Sequence, residues 1–220
     1  MLLKVSSGVS SIDATCPDYV AGPTNSYTYS KIKRCLDIVI VLLAAPAVFL
    51  VVLGAAAAIL LVEGGPVFFV QERVGRGGRI FKILKLRSMR VQSGCGQTAT
   101  QRNDPRVTPL GRFLRQSHID ELPQLWNILV GDMTLVGPRP EQPALVEQYR
   151  EKLPNYDLRH MVLPGLSGWA QVNAGYAADL AETARKLEYD LEYVSRYGPA
   201  MDLLVILRTV RVFLDPRYVR

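Results

Sequence analysis

One segment limits what this chain can fold into: residues 38–62 form an unbroken run of 25 uncharged, mostly apolar side chains. As a straight α-helix the run would measure roughly 37 Å, which is enough to cross the hydrocarbon core of a bilayer. A cleaved secretory signal is disfavoured because the run is too long and follows a long leader. The chain is 49% hydrophobic overall, which fits one membrane segment and not several. We therefore predict a single membrane helix.

The same segment carries two features that argue against a simple crossing of the bilayer. Pro46 cannot donate a hydrogen bond to the carbonyl of Leu42, so the helix is expected to bend at Ala45 and Pro46. Basic side chains lie on both sides of the run, at Lys31, Lys33 and Arg34 before it and at Arg73, Arg76, Arg79, Lys82, Lys85 and Arg87 after it. A re-entrant helix that returns to the face it entered satisfies the positive-inside rule at both ends. An ordinary single-pass anchor with a tolerated proline stays open as the alternative.

The remaining sequence predicts an α+β fold that is mainly helical. Residues 1–30 are rich in Ser, Thr, Gly and Pro and predict a loosely ordered tail, residues 31–63 hold the basic flank and the membrane helix, and residues 64–220 suit one domain. Two Val-, Phe- and Ile-rich stretches within 66–86 predict an associated β-hairpin. Helical spacing of apolar residues predicts amphipathic helices from Leu110 and Leu122 and over 180–197 and 201–214. Their Trp, Phe and basic residues are typical of the membrane interface, although packing on a core explains each helix equally well.

Charge and cysteine content narrow the classes of partner. The net charge of +6 implies acidic partners, namely nucleic acid, anionic lipid or phosphorylated substrates. Cys16, Cys35 and Cys95 lack metal-ligand spacing, so neither a disulfide framework nor a zinc site is indicated. His118 and His160 have no partner at such spacing either. The sequence contains no Walker A loop and no Asp-x-Asp pair, so nucleotide binding by those devices is not supported.

Two adjacent carboxylates, Asp120 and Glu121, are followed closely by Pro123. Because proline is tolerated only in the first turn of a helix, a new helix is expected to begin at Asp120 or Glu121. Free N–H groups at a helix start favour anions, including a substrate phosphate. A carboxylate beside a pyrophosphate would need a divalent cation such as Mg²⁺. The alternative is that Asp120 only caps the helix.

Two further segments suit the recognition of phosphate and base. Prolines on both sides of Arg139 restrict its backbone, which suits bidentate phosphate recognition, although a stiff surface turn would have the same sequence. Residues 164–173 are too glycine-rich for a helix, yet they carry Trp169, Gln171 and Asn173. An indole ring and amide side chains are able to stack on and read a nucleobase.

At these residues the chain closely resembles the bacterial sugar transferase family, the monotopic phosphoglycosyl transferases that start glycan assembly on undecaprenyl phosphate. The similarity runs from about Lys31 to the C-terminus in unbroken order. Besides the basic flank and bent helix, it is carried by FKILKLRSM at 81–89, DPRVTPLG at 104–111, DELPQ at 120–124, GDM at 131–133, GPRPE at 137–141 and PGLSGWAQVN at 164–173. This series favours the re-entrant helix and catalytic carboxylates over their alternatives.

The resemblance implies a two-step reaction in which Asp120 attacks the β-phosphate of a UDP-sugar, releases UMP and passes the phosphosugar to polyprenyl phosphate. It also implies that Mg²⁺ binds at Asp120, that Glu121 assists, and that Lys85, Arg115 and Arg139 supply positive charge around the phosphates. Residues 64–220 would form a catalytic domain at the cytoplasmic face of the bacterial inner membrane. Its partners would be the UDP-sugar, polyprenyl phosphate and membrane lipid, with no nucleic acid. Uncovered apolar helix faces are compatible with a homodimer.

Three positions depart from the common family pattern. Ala45 stands where many relatives place a Ser whose hydroxyl supports the bend, and His118 stands where they commonly carry Ser or Thr. Residues 174–176 lack an Arg that some relatives have, which leaves the donor sugar undetermined.

Two competing functions explain less of the sequence. A non-enzymatic, membrane-anchored basic binding module accounts for the charge but not for the carboxylate pair or the rigid proline-flanked motifs. A conventional glycosyltransferase is disfavoured by the missing Asp-x-Asp pair and by the membrane run.

Overall fold

The chain begins, in the part that can be described, with one long apolar helix. The computed structural model describes residues 26–90, 104–174 and 179–214. Helix α1 (Ser26–Glu63) contains the whole apolar run with Pro46 inside it, so residues 26–30 are helical and not part of the predicted tail. Within the described ranges it is the one helix long and apolar enough to cross a bilayer, and only 6% of its most apolar window is buried.

Both halves of α1 pack against the rest of the protein. In the N-terminal half, Val41 is buried in a cluster with Ile128 and Met133. In the C-terminal half, Ile59 is buried in a cluster with Leu86. In the middle of the helix the large apolar side chains of Leu43, Phe49 and Leu50 are exposed.

Two small sheets accompany the helices. Strands β1 (Phe68–Val74) and β2 (Ile80–Leu86) pair antiparallel. The turn between them has Gly77 at φ 67, a left-handed conformation that costs glycine little because it has no Cβ. A second sheet, which the sequence did not predict, pairs β3 (Thr134–Val136) parallel to β4 (Gly165–Ser167).

The remaining elements are helical, which confirms a mainly helical fold with few strands. The α-helices are α2 (Pro109–Gln116), α3 (Leu125–Val130), α4 (Pro143–Lys152), α5 (Trp169–Asn173), α6 (Leu180–Ser195) and α7 (Pro199–Leu214). The 3₁₀ helices are Arg76–Gly78, Ile119–Gln124 and Tyr156–Met161. The amphipathic helices predicted over 180–197 and 201–214 are confirmed as α6 and α7. Asp179 caps α6 by accepting a hydrogen bond from the backbone N–H of Glu182.

The expectation that residues 164–173 contain no helix was wrong for their second half. The glycines of this segment, Gly165 and Gly168, both precede helix α5, so its five residues include none. Those glycines serve close packing instead. A Cβ on Gly165 would lie 2.1 Å from the backbone nitrogen of Gly137, so only glycine allows these two backbone segments to approach so closely.

Candidate active site

A cluster of opposite charges lies between strand β2 and the loop that follows β3. The carboxylate of Glu121 accepts a hydrogen bond from Lys85 Nζ at 2.7 Å. The Arg139 guanidinium reaches the same carboxylate with both terminal nitrogens, at 2.5 Å from Nη2 to Oε1 and 3.3 Å from Nη1 to Oε2. Two cations therefore flank one carboxylate, so this three-residue cluster keeps one positive charge to offer an anion.

Asp120 lies beside this cluster but is not part of it. Its side chain is buried and forms no hydrogen bond or ion pair with any residue that the structure describes. The helix was expected to begin at Asp120 or Glu121; instead a 3₁₀ helix begins at Ile119, and the α-helix α3 follows it. His118, in a left-handed conformation, occupies the capping position. Capping therefore does not explain the Asp120 carboxylate.

The surroundings of the two carboxylates shift their pKa values in opposite directions. Burial and the charge of Glu121 raise the pKa of Asp120 to about 6, against the opposing charges of Lys85, Arg115 and Arg139. Burial alone would raise the pKa of Glu121 too, but Arg139 and Lys85 outweigh it and hold that pKa well below its usual value. Adjacent carboxyls with pKa values pushed apart are the arrangement expected where each has a separate role.

The raised pKa predicts that Asp120→Asn stabilises the metal-free protein at alkaline pH. The folded state binds the Asp120 proton more tightly than the unfolded state, so ionisation destabilises the fold. This cost is absent below about pH 4 and complete above about pH 7, where it reaches up to about 3 kcal/mol. Thermal unfolding in chelator should therefore show a higher midpoint for the variant at pH 8 and nearly equal midpoints at pH 4. An equal difference in unfolding midpoint between the variant and the wild type at pH 8 and at pH 4 would contradict the raised pKa of Asp120.

Asn127 aligns the strand that carries Lys85 with the helix that carries Glu121. Its side-chain oxygen accepts from the backbone N–H of Leu84 at 3.1 Å, and its amide nitrogen donates to the carbonyl of Lys82 at 2.7 Å. A primary amide thus continues the hydrogen-bonding pattern of β2. Sequence reasoning missed this residue, because an Asn inside an apolar helical pattern gives no sign of what it contacts.

Arg115 acts on Asp120 without belonging to the Glu121 cluster. It stands in the last turn of α2, and its charge opposes the effect of burial on the pKa of Asp120. The structure therefore brings together Lys85, Asp120, Glu121 and Arg139. Arg115 lies near enough for its positive charge to lower the pKa of Asp120.

Trp169, Gln171 and Asn173 pack within the protein. Trp169 is 6% exposed, and its indole N–H donates to Glu192 at 2.8 Å. The Arg208 guanidinium lies 4.3 Å from the centre of its ring and also bonds Asn173. Gln171 donates to the carbonyl of Leu166. These contacts involve groups that were expected to stack on and read a nucleobase, although Gln171 Oε1 is buried with no hydrogen-bond partner among the described residues. The neighbouring positions 175 and 176 lie outside the described residues.

The donor set around the two carboxylates fits Mg²⁺ only at Asp120. Both oxygens of Glu121 are already bonded to cations, whereas the Asp120 carboxylate is uncommitted. Among the described residues no group of three or more His, Cys, Asp or Glu side chains stands ready to hold a metal. Mg²⁺ bound through one carboxylate, substrate phosphates and water needs no such group.

The chain is similar to known proteins over ranges that include the residues described above. The chain matches the bacterial sugar transferase family over residues 28–216. It is 46% identical over 187 residues to the UDP-N-acetylgalactosamine-undecaprenyl-phosphate N-acetylgalactosaminephosphotransferase of Aeromonas hydrophila, covering 84% of this chain and 44% of that protein. It is 42% identical over 183 residues to the UDP-glucose:undecaprenyl-phosphate glucose-1-phosphate transferase of Escherichia coli, covering 81% and 39%.

A relative of more similar length extends the comparison. The protein of Caulobacter vibrioides that carries the same name as the Escherichia coli enzyme is 41% identical over 193 residues, covering 86% of this chain and 72% of its own. The chain spans less than half the length of the other two relatives. Because the family match takes in all but the first two residues of α1, every residue of the charged cluster and the whole of α7, the chain belongs to the bacterial sugar transferase family.

Proposed function

We propose that this protein transfers a sugar 1-phosphate from a UDP-sugar to polyprenyl phosphate, giving polyprenyl-diphosphate-sugar and UMP and starting the assembly of a bacterial glycan. The observation that carries the proposal is a pair of adjacent carboxylates with different surroundings. Glu121 is bound by two cations, whereas Asp120 is buried and has no hydrogen bond or ion pair with a described residue. The relatives are named for this transfer to undecaprenyl phosphate. A non-enzymatic binding module would have no use for such a pair.

In the first step, a carboxylate oxygen of Asp120 attacks the β-phosphorus of the UDP-sugar. The bond between that phosphorus and the oxygen bridging to the α-phosphate breaks, UMP leaves with the electron pair, and the phosphosugar stays on Asp120 as an acyl phosphate. Burial supports this role because a carboxylate stripped of water is a stronger nucleophile and is held in one place. Lys85 and Arg139, held on the adjacent Glu121, would stabilise the negative charge of the phosphates.

In the second step, a phosphate oxygen of the lipid carrier attacks the same phosphorus and Asp120 departs as a free carboxylate. The enzyme thereby returns to its starting state, and the two substrates use one site in turn. Glu121 assists by holding Lys85 and Arg139 in place through its two oxygens. Its low pKa keeps it ionised through the cycle, so the two cations stay fixed.

Mg²⁺ is part of the proposal, with Asp120 as its protein ligand. Bound there together with phosphate oxygens, the ion would neutralise the repulsion between a carboxylate and a pyrophosphate. The residues of this chain would then orient the phosphates and exclude water from the acyl phosphate.

The attachment of α1 supports a re-entrant placement in the membrane. Near its N-terminal end, Lys33 donates to the carbonyl of Val136 at 2.7 Å and pairs with Asp202. Near its C-terminal end, the carbonyl of Glu63 accepts from Arg87 at 3.2 Å. A helix that crosses the bilayer places its ends on opposite faces, whereas both ends of α1 are bonded to the same domain. We infer that both ends lie on the cytoplasmic face and that α2 and α7 rest in the interface, where α7 exposes apolar side chains.

Pro46→Leu is expected to move part of the population to a spanning topology. Leucine restores a backbone donor and removes the reason for the helix to turn back. Accessibility of an N-terminal reporter from outside intact cells should be nil in the wild type and measurable in the variant. Lys31, Lys33 and Arg34 oppose translocation, so a mixed population is expected. Ala45→Leu adds apolar volume while keeping Pro46 and should leave the reporter inaccessible. An external N-terminus in the wild type would contradict the re-entrant placement.

The function itself is tested by UMP release. Membranes containing the protein are incubated with a panel of UDP-sugars and polyprenyl phosphate, and UMP and lipid-linked product are measured. Release of UMP with one sugar identifies the donor, whereas release of UDP would indicate a conventional glycosyltransferase. No release with any sugar, together with binding to nucleic acid or anionic vesicles, would favour the binding module instead.

A further inference from the structure

A buried ion pair lies behind the loop that carries Arg139. The Arg159 guanidinium pairs with Asp190 at 2.7 Å, and both side chains are almost fully buried. The same guanidinium donates to the hydroxyl of Tyr156 at 2.6 Å and to the backbone carbonyl of Arg139 at 2.8 Å. Arg159 thus joins the 3₁₀ helix Tyr156–Met161, helix α6 and the Arg139 loop.

Stability alone does not explain this pair. Removing two charges from water costs free energy, and apolar residues of the same volume are often at least as stabilising as a buried ion pair. What apolar residues cannot do is bond the Arg139 carbonyl. The chemistry of the site makes no direct use of Arg159, so its contact with this carbonyl is the contribution that needs an explanation.

Contacts from strand β1 hold the next two residues of the same loop. Arg73 donates through Nη1 to the carbonyl of Pro140 at 3.0 Å, and the backbone N–H of Val74 donates to the carbonyl of Glu141 at 2.9 Å. Three consecutive carbonyls, starting at Arg139, are therefore each bonded. With the backbone fixed, the position of the Arg139 guanidinium is set by its own side chain, which ends on Glu121.

We propose that Arg159 is a positioning residue for Arg139, and that Asp190 is the counter-charge that allows Arg159 to be buried there. The proposal rests on the proposed function, because the guanidinium it places belongs to the site of phosphate transfer. A misplacement of about 1 Å at such a site lowers the rate by on the order of a hundredfold. The role of Arg159 is thus to keep Arg139 on Glu121 before substrate arrives.

A double-mutant cycle tests the proposal. Arg159→Gln is expected to lower kcat about ten- to a hundredfold with a smaller change in KM, since the transition state depends on placement more than substrate binding does. In an Arg139→Gln background the same substitution should change kcat by less than about twofold, because the group to be positioned is gone. Equal effects in the two backgrounds would overturn the proposal.

A matched control is provided by Arg150→Gln. Arg150 pairs with Asp157 on the same 3₁₀ helix, but both side chains are exposed, and the hydrogen bonds of Arg150 go to Asp157 and Glu147. This variant should leave kcat unchanged in the wild-type background and in the Arg139→Gln background alike. Should Arg159→Gln fail to fold in thermal unfolding, Asp190→Asn, which keeps the shape and removes the counter-charge, replaces it in the cycle with the same expectations.

A readout without activity separates this inference from the proposed function. Nitrogen-15 relaxation of the Arg139 guanidinium should show a rigid group in the wild type and in Arg150→Gln, and a mobile one in Arg159→Gln. A rigid Arg139 in Arg159→Gln would overturn the positioning role even if the wild type released UMP. A wild type that releases no UMP would refute the function, while the relaxation data would still decide the positioning.

Discussion

Asp120→Asn should lower kcat for UMP release by about 10⁴-fold or more, because the amide keeps the shape of the side chain but loses its nucleophilic oxygen. The protein should stay folded and membrane-bound, since Asp120 contributes no hydrogen bond or ion pair to the described structure. Steady-state rates with the donor identified by the sugar panel, compared at equal amounts of protein, measure the effect.

Trapping the intermediate locates the nucleophile directly. Wild-type protein incubated with a labelled UDP-sugar and no lipid acceptor should retain the phosphosugar on a peptide that contains Asp120, and Asp120→Asn should retain none. Glu121→Gln is the matched comparison. It removes a negative charge held by Lys85 and Arg139, so it should impair turnover severely but still allow some labelling. Label on any residue other than Asp120 would refute the mechanism.

Chelation of divalent cations should abolish UMP release, and added Mg²⁺ should restore it. Without the ion, the Asp120 carboxylate must approach a pyrophosphate that carries the same sign of charge, and the one uncompensated positive charge of the Lys85, Glu121 and Arg139 cluster is too small to offset this repulsion. UMP release is followed during titration with chelator and then with Mg²⁺, Ca²⁺ or Mn²⁺.

The binding of Mg²⁺ can be separated from its effect on rate. Mg²⁺ should raise the unfolding midpoint of the wild type when UMP is present to supply phosphate oxygens to the ion. It should do so much less for Asp120→Asn. Full activity in excess chelator would contradict the metal requirement. An equal Mg²⁺ response in wild type and Asp120→Asn would place the ion on another ligand.

The members of the charged cluster were named in advance because they lie in short, ordered motifs that carry the family resemblance. Lys85 lies in a predicted strand, Glu121 lies two residues before Pro123, and Arg139 is held between prolines. That these three meet is a tertiary fact, since 36 residues separate Lys85 from Glu121. Local patterns showed which groups were chemically suited but not that the two cations would bind Glu121 and leave Asp120 uncommitted.

The features that sequence reasoning did not predict depend on distant partners. The Trp169 ring, which was expected to stack on a base, has Arg208 of helix α7 lying 4.3 Å from its centre. Strands β3 and β4 contain three residues each, too few for a periodic pattern, and depend on the close approach of Gly137 and Gly165. Asn127 and Arg159 act through backbone carbonyls and amides, which any sequence offers at every position.

The attachment of α1 at both ends has a further consequence for how the acceptor is met. A domain tethered to its anchor at one point can swing toward a lipid, whereas in the proposed re-entrant placement a domain held at Lys33 and again at Glu63 would keep a constant orientation to the bilayer. Under the proposed function, the Asp120 carboxylate would then stay at a fixed position relative to the membrane. Each lipid phosphate would have to reach it by lateral diffusion within one leaflet, so the fluidity of the surrounding lipids would become part of the turnover.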